Sequence, residues 1–423
     1  MPPLTDTPKS LRKNTEPFVV LVLPNPPSPW NMIDWYWKKI AGVPFLLRNI
    51  LSLQEAGVSH LVLFTENSAA KLNELFRRAE TDPRLKLKLQ CYSEPGPFLT
   101  CARENRHVLF LDGSTLQNKD TVASAIKPDI QKPNQETGQP LHLSTLEALM
   151  RHTNECGVLS WPEKFQCTDL PHQTSPQQNS STTMDFLKKN ENYKITQPED
   201  FIEIGNRLIR SCGLSNDSFM DKLITRSISR QLTRQIIKTP LTPNLITLIS
   251  LAIGLGSAVC FLSGSYGMGV VGGGLLLLST WIDCTDGEVA RLKFLESPLG
   301  KQMDIICDNL VHMAVFFSMG VGLQNATGND LFIFLGGLAV LGCLISCVSL
   351  APEIMKNKIQ PDASKPVNGA PKSITDQLAN RDFTYLLFFM ALIAKLDIFL
   401  VLAAAGSNVF AGYVLYNRFK TAS

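Results

Sequence analysis

The chain has 423 residues, 44% of them hydrophobic, and a formal net charge of +3. This length allows two or three domains, and so small a net charge gives no sign of a nucleic-acid partner. Ten cysteines are scattered without a C-x-x-C pair, which argues against a zinc site and a disulfide framework and suits a reducing compartment. The first residues lack the apolar core of a cleavable signal peptide.

The first part of the chain alternates between strand and helix patterns. Short apolar runs predict buried strands at 18–23, 60–65 and 107–113, and helical periodicity covers 44–57 and 68–80. Strands separated by helices indicate a layered, mostly parallel α/β sheet. We therefore expect an N-terminal tail at 1–17 and an α/β domain at 18–205. Stretches rich in Pro, Gln, Ser and Thr at 127–140 and 167–183 are interpreted as linkers.

A basic amphipathic segment, residues 216–240, precedes the first long apolar run. Its cations recur every four residues and form one stripe: Arg226, Arg230, Arg234 and Lys238. This pattern predicts a juxtamembrane helix that lies on an anionic membrane surface. The alternative is an ordinary helix with a solvated basic face.

Long apolar runs then predict a C-terminal all-α domain of six transmembrane helices over 241–418. The expected spans lie near 244–262, 267–285, 303–323, 331–351, 383–396 and 398–416. The first four approach the roughly 20 residues needed to cross the hydrocarbon core, and the last two are interrupted by Lys395 and Asp397. Lys and Arg cluster in alternate connections, whereas the opposite loops at 263–267 and 324–330 contain none. This bias predicts an integral membrane protein whose two termini and polar helix ends face the cytoplasm.

Four aspartates stand between the second and third spans. Asp283 and Asp286 are three residues apart, and Asp304 and Asp308 are four apart, so each pair lies on one face of its helix. The two helices are joined by a short turn and are expected to be neighbours, which lets the four carboxylates converge. Carboxylates crowded together repel one another unless a cation joins them. Oxygen ligands favour Mg²⁺, Mn²⁺ or Ca²⁺ over thiophilic metals.

The same stretch resembles the signature of the CDP-alcohol phosphotransferases, D-x2-D-G-x2-A-R-x8-G-x3-D-x3-D. It is met without a gap by eight residues: Asp283, Asp286, Gly287, Ala290, Arg291, Gly300, Asp304 and Asp308. The segment "TPNLIT" at 242–247 also looks like the usual entry of this family into its first span. The resemblance covers roughly residues 217–418.

The resemblance implies a membrane transferase that moves a phosphoalcohol from a CDP-alcohol to an acceptor hydroxyl and releases CMP. Asp283, Asp286 and Asp304 would hold one or two Mg²⁺ or Mn²⁺ ions, with Asp308 at the same metal centre as the general base. Gly287, Ala290 and Gly300 would line the nucleotide side, and Arg291 would contact phosphate. The acceptor is a polar or lipid alcohol, membrane lipids are partners, and a homodimer is a further expectation.

The N-terminal domain resembles sugar-nucleotide-type nucleotidyltransferases, with Asp112 in the position of a metal ligand. The junction at 215–247 and the stretch "DGEVARLKF" resemble bifunctional enzymes that fuse an inositol-1-phosphate cytidylyltransferase to a di-inositol-phosphate phosphate synthase. However, the loop at 24–35 has four prolines and neither glycine nor a basic residue. It therefore lacks the N–H groups and the cation that cradle a triphosphate. Thr196 stands where a second metal aspartate is expected, so we interpret the domain as having lost cytidylyl transfer.

Other interpretations remain open at this stage. The donor could be CDP-diacylglycerol, which would make the chain a phospholipid synthase. The chain could also be an inactive membrane scaffold or a nucleotide sensor, or a transporter lined by acidic residues. Asn309, where relatives that use inositol phosphates often carry Arg, leaves the acceptor undetermined.

Overall fold

The computed structural model describes residues 18–65, 69–93, 108–126, 193–212, 220–356 and 382–422. The linkers expected at 127–140 and 167–183 lie outside these ranges. The chain divides into two compact units, residues 1–204 and 205–423.

The N-terminal unit is built on a parallel four-stranded sheet. Its strands are β1 (Phe18–Val22), β4 (His60–Phe64), β5 (Lys88–Tyr92) and β6 (Val108–Asp112), in the order β5-β4-β1-β6. Two short pairs complete the strands, β2 (Lys39–Ile40) with β3 (Val43–Pro44) and β7 (Thr115–Leu116) with β8 (Tyr193–Lys194). The helices are α1 (Met32–Tyr36), α2 (Phe45–Glu55), α3 (Ala69–Glu80) and α4 (Lys119–Ile126). Helix α5 (Asp200–Ser211) begins in this unit and continues past its boundary at residue 204. The prediction of a parallel α/β sheet is confirmed.

The sequence did not predict the edge strand β5. Its residues, KLQCY, are polar or partly exposed and pair on one side only, with β4. The apolar signal that marks a central strand is therefore weak here, since only one edge and part of one face are covered.

The C-terminal unit is helical. A π-helical turn (Asp221–Thr225) leads into α6 (Arg226–Ile236), which is followed by α7 (Pro243–Leu262), α8 (Tyr266–Lys293), α9 (Pro298–Thr327), α10 (Leu331–Lys356), α11 (Asp382–Leu392) and α12 (Leu396–Ala422). Thr242 and Ser297 cap α7 and α9 through side-chain oxygens, and each is followed by proline at the first helical position.

Five helices within the described residues are long and apolar enough to cross a membrane: Pro243–Leu262, Tyr266–Lys293, Pro298–Thr327, Leu331–Leu350 and Leu396–Phe419. The expected span at 383–396 corresponds to α11, which has 11 residues. At 1.5 Å per residue, α11 covers only about half of the hydrocarbon core. The helical membrane domain is thus confirmed, and the count of six spans holds only approximately.

Glycines allow the helices α7, α8 and α9 to pack closely. A Cβ atom on Gly322 would lie 2.0 Å from the carbonyl oxygen of Phe261, and one on Gly254 would lie 2.7 Å from Val311. A core of buried apolar side chains, including Phe261, Leu276 and Val315, fills the space between the helices. Because α7 packs against both α8 and α9, the polar ends of these two helices come together.

Candidate active site

Three of the predicted aspartates lie together at the polar ends of α8 and α9. One carboxylate oxygen from each of Asp283, Asp286 and Asp304 lies within 4.8 Å of the other two. Asp283 and Asp286 are buried and Asp304 is half-buried. Buried carboxylates at such spacing are costly unless a cation neutralises them. Because all three donors are hard anionic oxygens, the set fits a divalent cation of the Mg²⁺ type.

Helix α7 orients two of these carboxylates through hydroxyl groups. Thr247 Oγ1 donates to Asp286 Oδ2, and Ser250 Oγ donates to Asp283 Oδ1 at 3.4 Å. Ser279 Oγ in turn donates to the Ser250 carbonyl oxygen at 2.7 Å. Sequence reasoning missed these residues. The available signal was the recurrence of Thr247, Ser250 and Ser257 on one face of an otherwise apolar helix.

Asp308 stands apart from the three-carboxylate group found among the described residues and lines an adjoining pocket. The pocket is lined by Ser250, Leu251, Leu276, Ser279, Thr280, Asp283, Cys307, Asp308, Val311 and His312. Asp283 is shared between the group of three and this pocket. Asp308 is thus next to the candidate metal site and has space in front of it.

The remaining signature residues lie on the same helices. A Cβ atom on Gly287 would lie 3.3 Å from Arg291 Nη1, so the guanidinium group of Arg291 covers this glycine. Arg291 Nη2 donates to the Cys212 carbonyl oxygen at 3.1 Å. Ala290 is half-buried in the turn after Asp286. Gly300 lies in the first turn of α9, where its N–H donates to Ser297 Oγ and a Cβ atom would lie 3.1 Å from Asn244 Oδ1.

A buried acidic residue that the sequence analysis did not select lies between Asp286 and Arg291. Glu288 is fully buried on α8 and accepts from Arg226 Nη1 at 2.9 Å, from Ser229 Oγ at 2.8 Å and from Thr233 Oγ1 at 2.6 Å. All three donors lie on α6 or at its start. The expectation that Arg226 belongs to an exposed basic stripe is therefore wrong, because its charge is buried against Glu288.

A second polar contact fixes the beginning of α6. The hydroxyl group of Tyr385 on α11 accepts from Trp281 Nε1 at 2.9 Å and lies 2.9 Å from Thr225 Oγ1. Lys293 Nζ, at the other end of α8, donates to the Thr239 carbonyl oxygen at 3.0 Å. Helices α6 and α8 therefore pack side by side and run in the same direction.

The N-terminal unit has no comparable group of carboxylates among its described residues. Asp112 is buried at the end of β6, where it accepts from Ser114 N at 2.8 Å and from Ser114 Oγ at 2.7 Å. Thr196 donates its N–H to Asp200 Oδ2 at 2.7 Å. Burial alone would raise the pKa of Asp200, but hydrogen bonds from Thr196 and Gln197 hold it below its usual value. Asp200 thus binds the backbone of the segment that precedes α5.

The loop after β1 packs into its own domain. Trp35 is buried and contacts Phe201 edge-on, with ring centroids 5.0 Å apart. The Tyr36 hydroxyl donates to the Pro24 carbonyl oxygen at 2.8 Å. Burial, and secondly the charge of Asp112, raise the pKa of Tyr36 well above its usual value. Trp35 is thus a core residue and is not available to a membrane or a partner.

Residues 240–411 match the family model described as CDP-alcohol phosphatidyltransferase. Two curated proteins are similar to the chain, both named bifunctional IPC transferase and DIPP synthase. The one from Thermococcus kodakarensis is 29% identical over 202 residues, which are 47% of this chain and 44% of that protein. The one from Aquifex aeolicus is 26% identical over 132 residues, or 31% and 29% of the two chains. The chain thus spans less than half the length of these relatives.

Among solved structures, a phosphatidylinositol phosphate synthase of Mycobacterium tuberculosis with CDP-DAG bound aligns with 47% of this chain and 94% of its own, with 17% identity and a TM-score of 0.35. The family model covers all eight signature residues, the carboxylates at the ends of α8 and α9 among them. The helical part of the chain, at residues 240–411, is thus similar to the CDP-alcohol phosphatidyltransferases.

Proposed function

We propose that the chain transfers a phosphoalcohol group from a CDP-alcohol to the hydroxyl group of an acceptor and releases CMP. The observation that carries this proposal is the convergence of Asp283, Asp286 and Asp304, whose oxygens lie within 4.8 Å of one another. These residues stand at the spacing of the family signature, inside the stretch that matches the family model.

Asp283, Asp286 and Asp304 would hold one or two Mg²⁺ or Mn²⁺ ions, with Asp308 as a further ligand. A bound divalent ion would neutralise the diphosphate of the donor and stabilise CMP as it leaves. Thr247 and Ser250 bond to Asp286 and Asp283, which keeps the carboxylates in the orientation for binding. Gly287, Ala290 and Gly300 leave room for the nucleotide, and Arg291 supplies charge for a phosphate oxygen.

Asp308 is the proposed general base. It lines the pocket beside Asp283 and lies outside the group of three carboxylates, so its carboxylate can face an acceptor hydroxyl there. Asp308 takes the hydroxyl proton as the acceptor oxygen attacks the β-phosphorus. The bond from this phosphorus to the oxygen bridging it to the α-phosphorus breaks, and CMP departs with that oxygen. The donor's phosphoalcohol is then linked to the acceptor as a phosphodiester.

The relatives' names favour a polar alcohol in the donor over diacylglycerol. Both similar curated proteins are named for IPC and DIPP synthesis, and the sequence around Glu288 and Arg291 resembles that subgroup. CDP-diacylglycerol is the alternative donor.

The cations placed between spans favour a cytoplasmic active site, with residues 216–240 as a juxtamembrane segment and 241–418 as the catalytic domain. A homodimer in the cell membrane completes the proposal.

The N-terminal domain, residues 18–205, is proposed to have lost cytidylyl transfer. Ser114 Oγ donates a hydrogen bond to the Asp112 carboxylate, and the residue at position 196 is threonine where a second metal-binding aspartate is expected. The backbone bond from Ile195 N to the Ser114 carbonyl oxygen, 2.8 Å long, brings these two segments together. Thr196 thus takes the place of the second metal-binding aspartate, and the neighbouring Asp200 carboxylate is bound by the backbone N–H groups of Thr196 and Gln197.

The test is CMP release by the purified protein in Mg²⁺, with CDP-inositol, CDP-diacylglycerol and CDP-glycerol as donors and pooled alcohols as acceptors. We expect release with one donor class and a loss of at least a hundredfold in Asp308→Asn and Asp304→Asn. Asp330→Asn is the matched control, because Asp330 is exposed in the loop at the far end of α9. Wild-type protein that binds Mn²⁺ but releases no CMP from any donor would contradict the proposal.

A further inference from the structure

The contact between α6 and α8 is built around a single buried carboxylate. Glu288 accepts from residues 226, 229 and 233, which span two turns of α6. Its side chain is 0% exposed and that of Arg226 is 7% exposed. Such a contact fixes both the distance between the two helices and the rotation of α6 about its own axis.

That rotation determines where the other cations of α6 stand. Successive residues of an α-helix are rotated by about 100° about its axis. Viewed along α8, Arg291 is therefore rotated by roughly 60° from Glu288, and Asp283 is rotated by roughly 140° in the same direction. Because α6 runs parallel to α8, the residues that follow the contacts at Ser229 and Thr233 turn toward this same side. Those residues are Arg230 and Arg234, which therefore lie on the side of α8 that carries Arg291 and, farther around the helix, Asp283.

These arginines also have unused hydrogen-bonding capacity. The Nε atoms of Arg230, Arg234 and Arg291 are buried and have no hydrogen-bond partner among the described residues. A buried guanidinium N–H without an acceptor is costly, and a phosphate oxygen is the acceptor that this planar donor group suits best. Three such atoms on one side of two packed helices indicate a place for a phosphate.

We propose that Glu288 is a positioning residue: it holds α6 against α8 so that Arg230 and Arg234 bind a phosphate of a substrate beside the aspartates. This inference rests on the proposed function and adds to it the residues that recognise phosphate. Two substrates carry that chemistry, the diphosphate of the CDP-alcohol and a phosphorylated acceptor. Two of the three carboxylates, Asp283 and Asp286, accept hydrogen bonds from α7 on the other side of α8, so we expect metal binding not to depend on Glu288.

The test compares Glu288→Gln, the double variant Arg230→Gln/Arg234→Gln and the triple combination of these changes. Lys238→Gln is the control, because Lys238 is an exposed cation of the same segment. Measurements are KM for the donor, KM for inositol 1-phosphate against free inositol as acceptor, kcat, and the Kd values of CDP and of Mn²⁺ by titration calorimetry.

We expect Glu288→Gln to raise at least one of these KM values tenfold or more. We also expect a change in kcat of less than threefold and a Mn²⁺ Kd within twofold of the wild-type value. The KM values of the triple variant should be no higher than those of the double variant, because Glu288 acts through the two arginines. A rise in donor KM and CDP Kd assigns the arginines to the diphosphate. A rise confined to the phosphorylated acceptor assigns them to that substrate.

Unchanged KM and CDP Kd values in Glu288→Gln would overturn the proposal. It would also be overturned if the increases in KM of Glu288→Gln and of the double variant add up in the triple variant, or if Glu288→Gln loses Mn²⁺ binding in parallel. If Glu288→Gln does not fold, Thr233→Val removes one hydrogen bond at nearly constant volume and is expected to raise the same KM about threefold. CDP binding needs no turnover. A wild-type protein that binds CDP but releases no CMP would therefore contradict the proposed function and still test the role of Glu288.

Discussion

Substitution of Arg226 by Met gives the sharpest test of how α6 is attached to α8. The change removes the cation and keeps an apolar side chain of similar length, so it leaves the Glu288 carboxylate fully buried with two hydroxyl donors, at 2.8 Å from Ser229 and 2.6 Å from Thr233. Removing one partner of a buried ion pair typically costs about 3–5 kcal/mol. Because the two hydroxyl groups still bind the carboxylate, we expect a loss of stability at the low end of this range, about 3 kcal/mol.

In a unit of this size, about 3 kcal/mol corresponds to a fall in Tm of roughly 6–12 °C. The assay is thermal unfolding of the detergent-solubilised protein, followed by thiol-reactive fluorescence and by circular dichroism. The double variant Arg226→Met/Glu288→Met removes both charges and is expected to recover most of the loss, since no unpaired charge remains. The exposed Lys222→Met serves as control. A Tm for Arg226→Met within 2 °C of wild type, at roughly 0.5 kcal/mol, would show that the ion pair does not stabilise the contact between α6 and α8. So would a loss of stability in the double variant equal to the sum of the losses in Arg226→Met and Glu288→Met.

Three further predictions concern the metal site, the helix packing and the N-terminal domain. Thr247→Val removes the hydroxyl that bonds to Asp286 and is expected to raise the Mg²⁺ concentration for half-maximal activity about tenfold; an unchanged value would show that this hydroxyl does not orient the carboxylate. Gly322→Ala would place a Cβ atom 2.0 Å from a backbone carbonyl oxygen, whereas Gly256→Ala would meet nothing within 4 Å. In thermal unfolding, Gly322→Ala should therefore be less stable than wild type, and Gly256→Ala should be more stable by about 0.5–1 kcal/mol. Equal changes in the stability of the two variants would contradict this packing. The 423-residue protein should release no pyrophosphate from CTP and inositol 1-phosphate in Mg²⁺. If wild-type protein releases pyrophosphate and Asp112→Asn does not, the N-terminal domain is an active cytidylyltransferase.

The sequence predicted the features that depend on local pattern. The strands at 18–23 and 60–65 agree with β1 and β4 within one residue, because buried parallel strands are continuous apolar runs bounded by turns. The spacing of Asp283 and Asp286 predicted a shared helix face, and α8 continues through both residues. Their approach to Asp304 followed from the short connection between α8 and α9.

The features that depend on which helix packs on which could not be predicted. A charge in an amphipathic helix is normally exposed, and Arg226 has the same local pattern as Lys238. Only the contact with α8 distinguishes them, because it buries Arg226 against Glu288 and leaves Lys238 exposed. Thr247 likewise looks like an ordinary helix residue until α7 is placed beside Asp286. Contacts between distant segments carry no signature in a single sequence.

The most direct test of phosphoalcohol transfer at the aspartate site is the identity and ratio of the products. Wild-type protein is incubated with Mg²⁺, the CDP-alcohol that supports CMP release and the matching acceptor, and the products are followed by phosphorus NMR and mass spectrometry. We expect CMP and a phosphodiester of donor and acceptor alcohols in equal amounts, both lost in Asp308→Asn. CMP formed with the free phosphorylated alcohol and no phosphodiester, or products that persist in Asp308→Asn, would contradict transfer at the aspartate site.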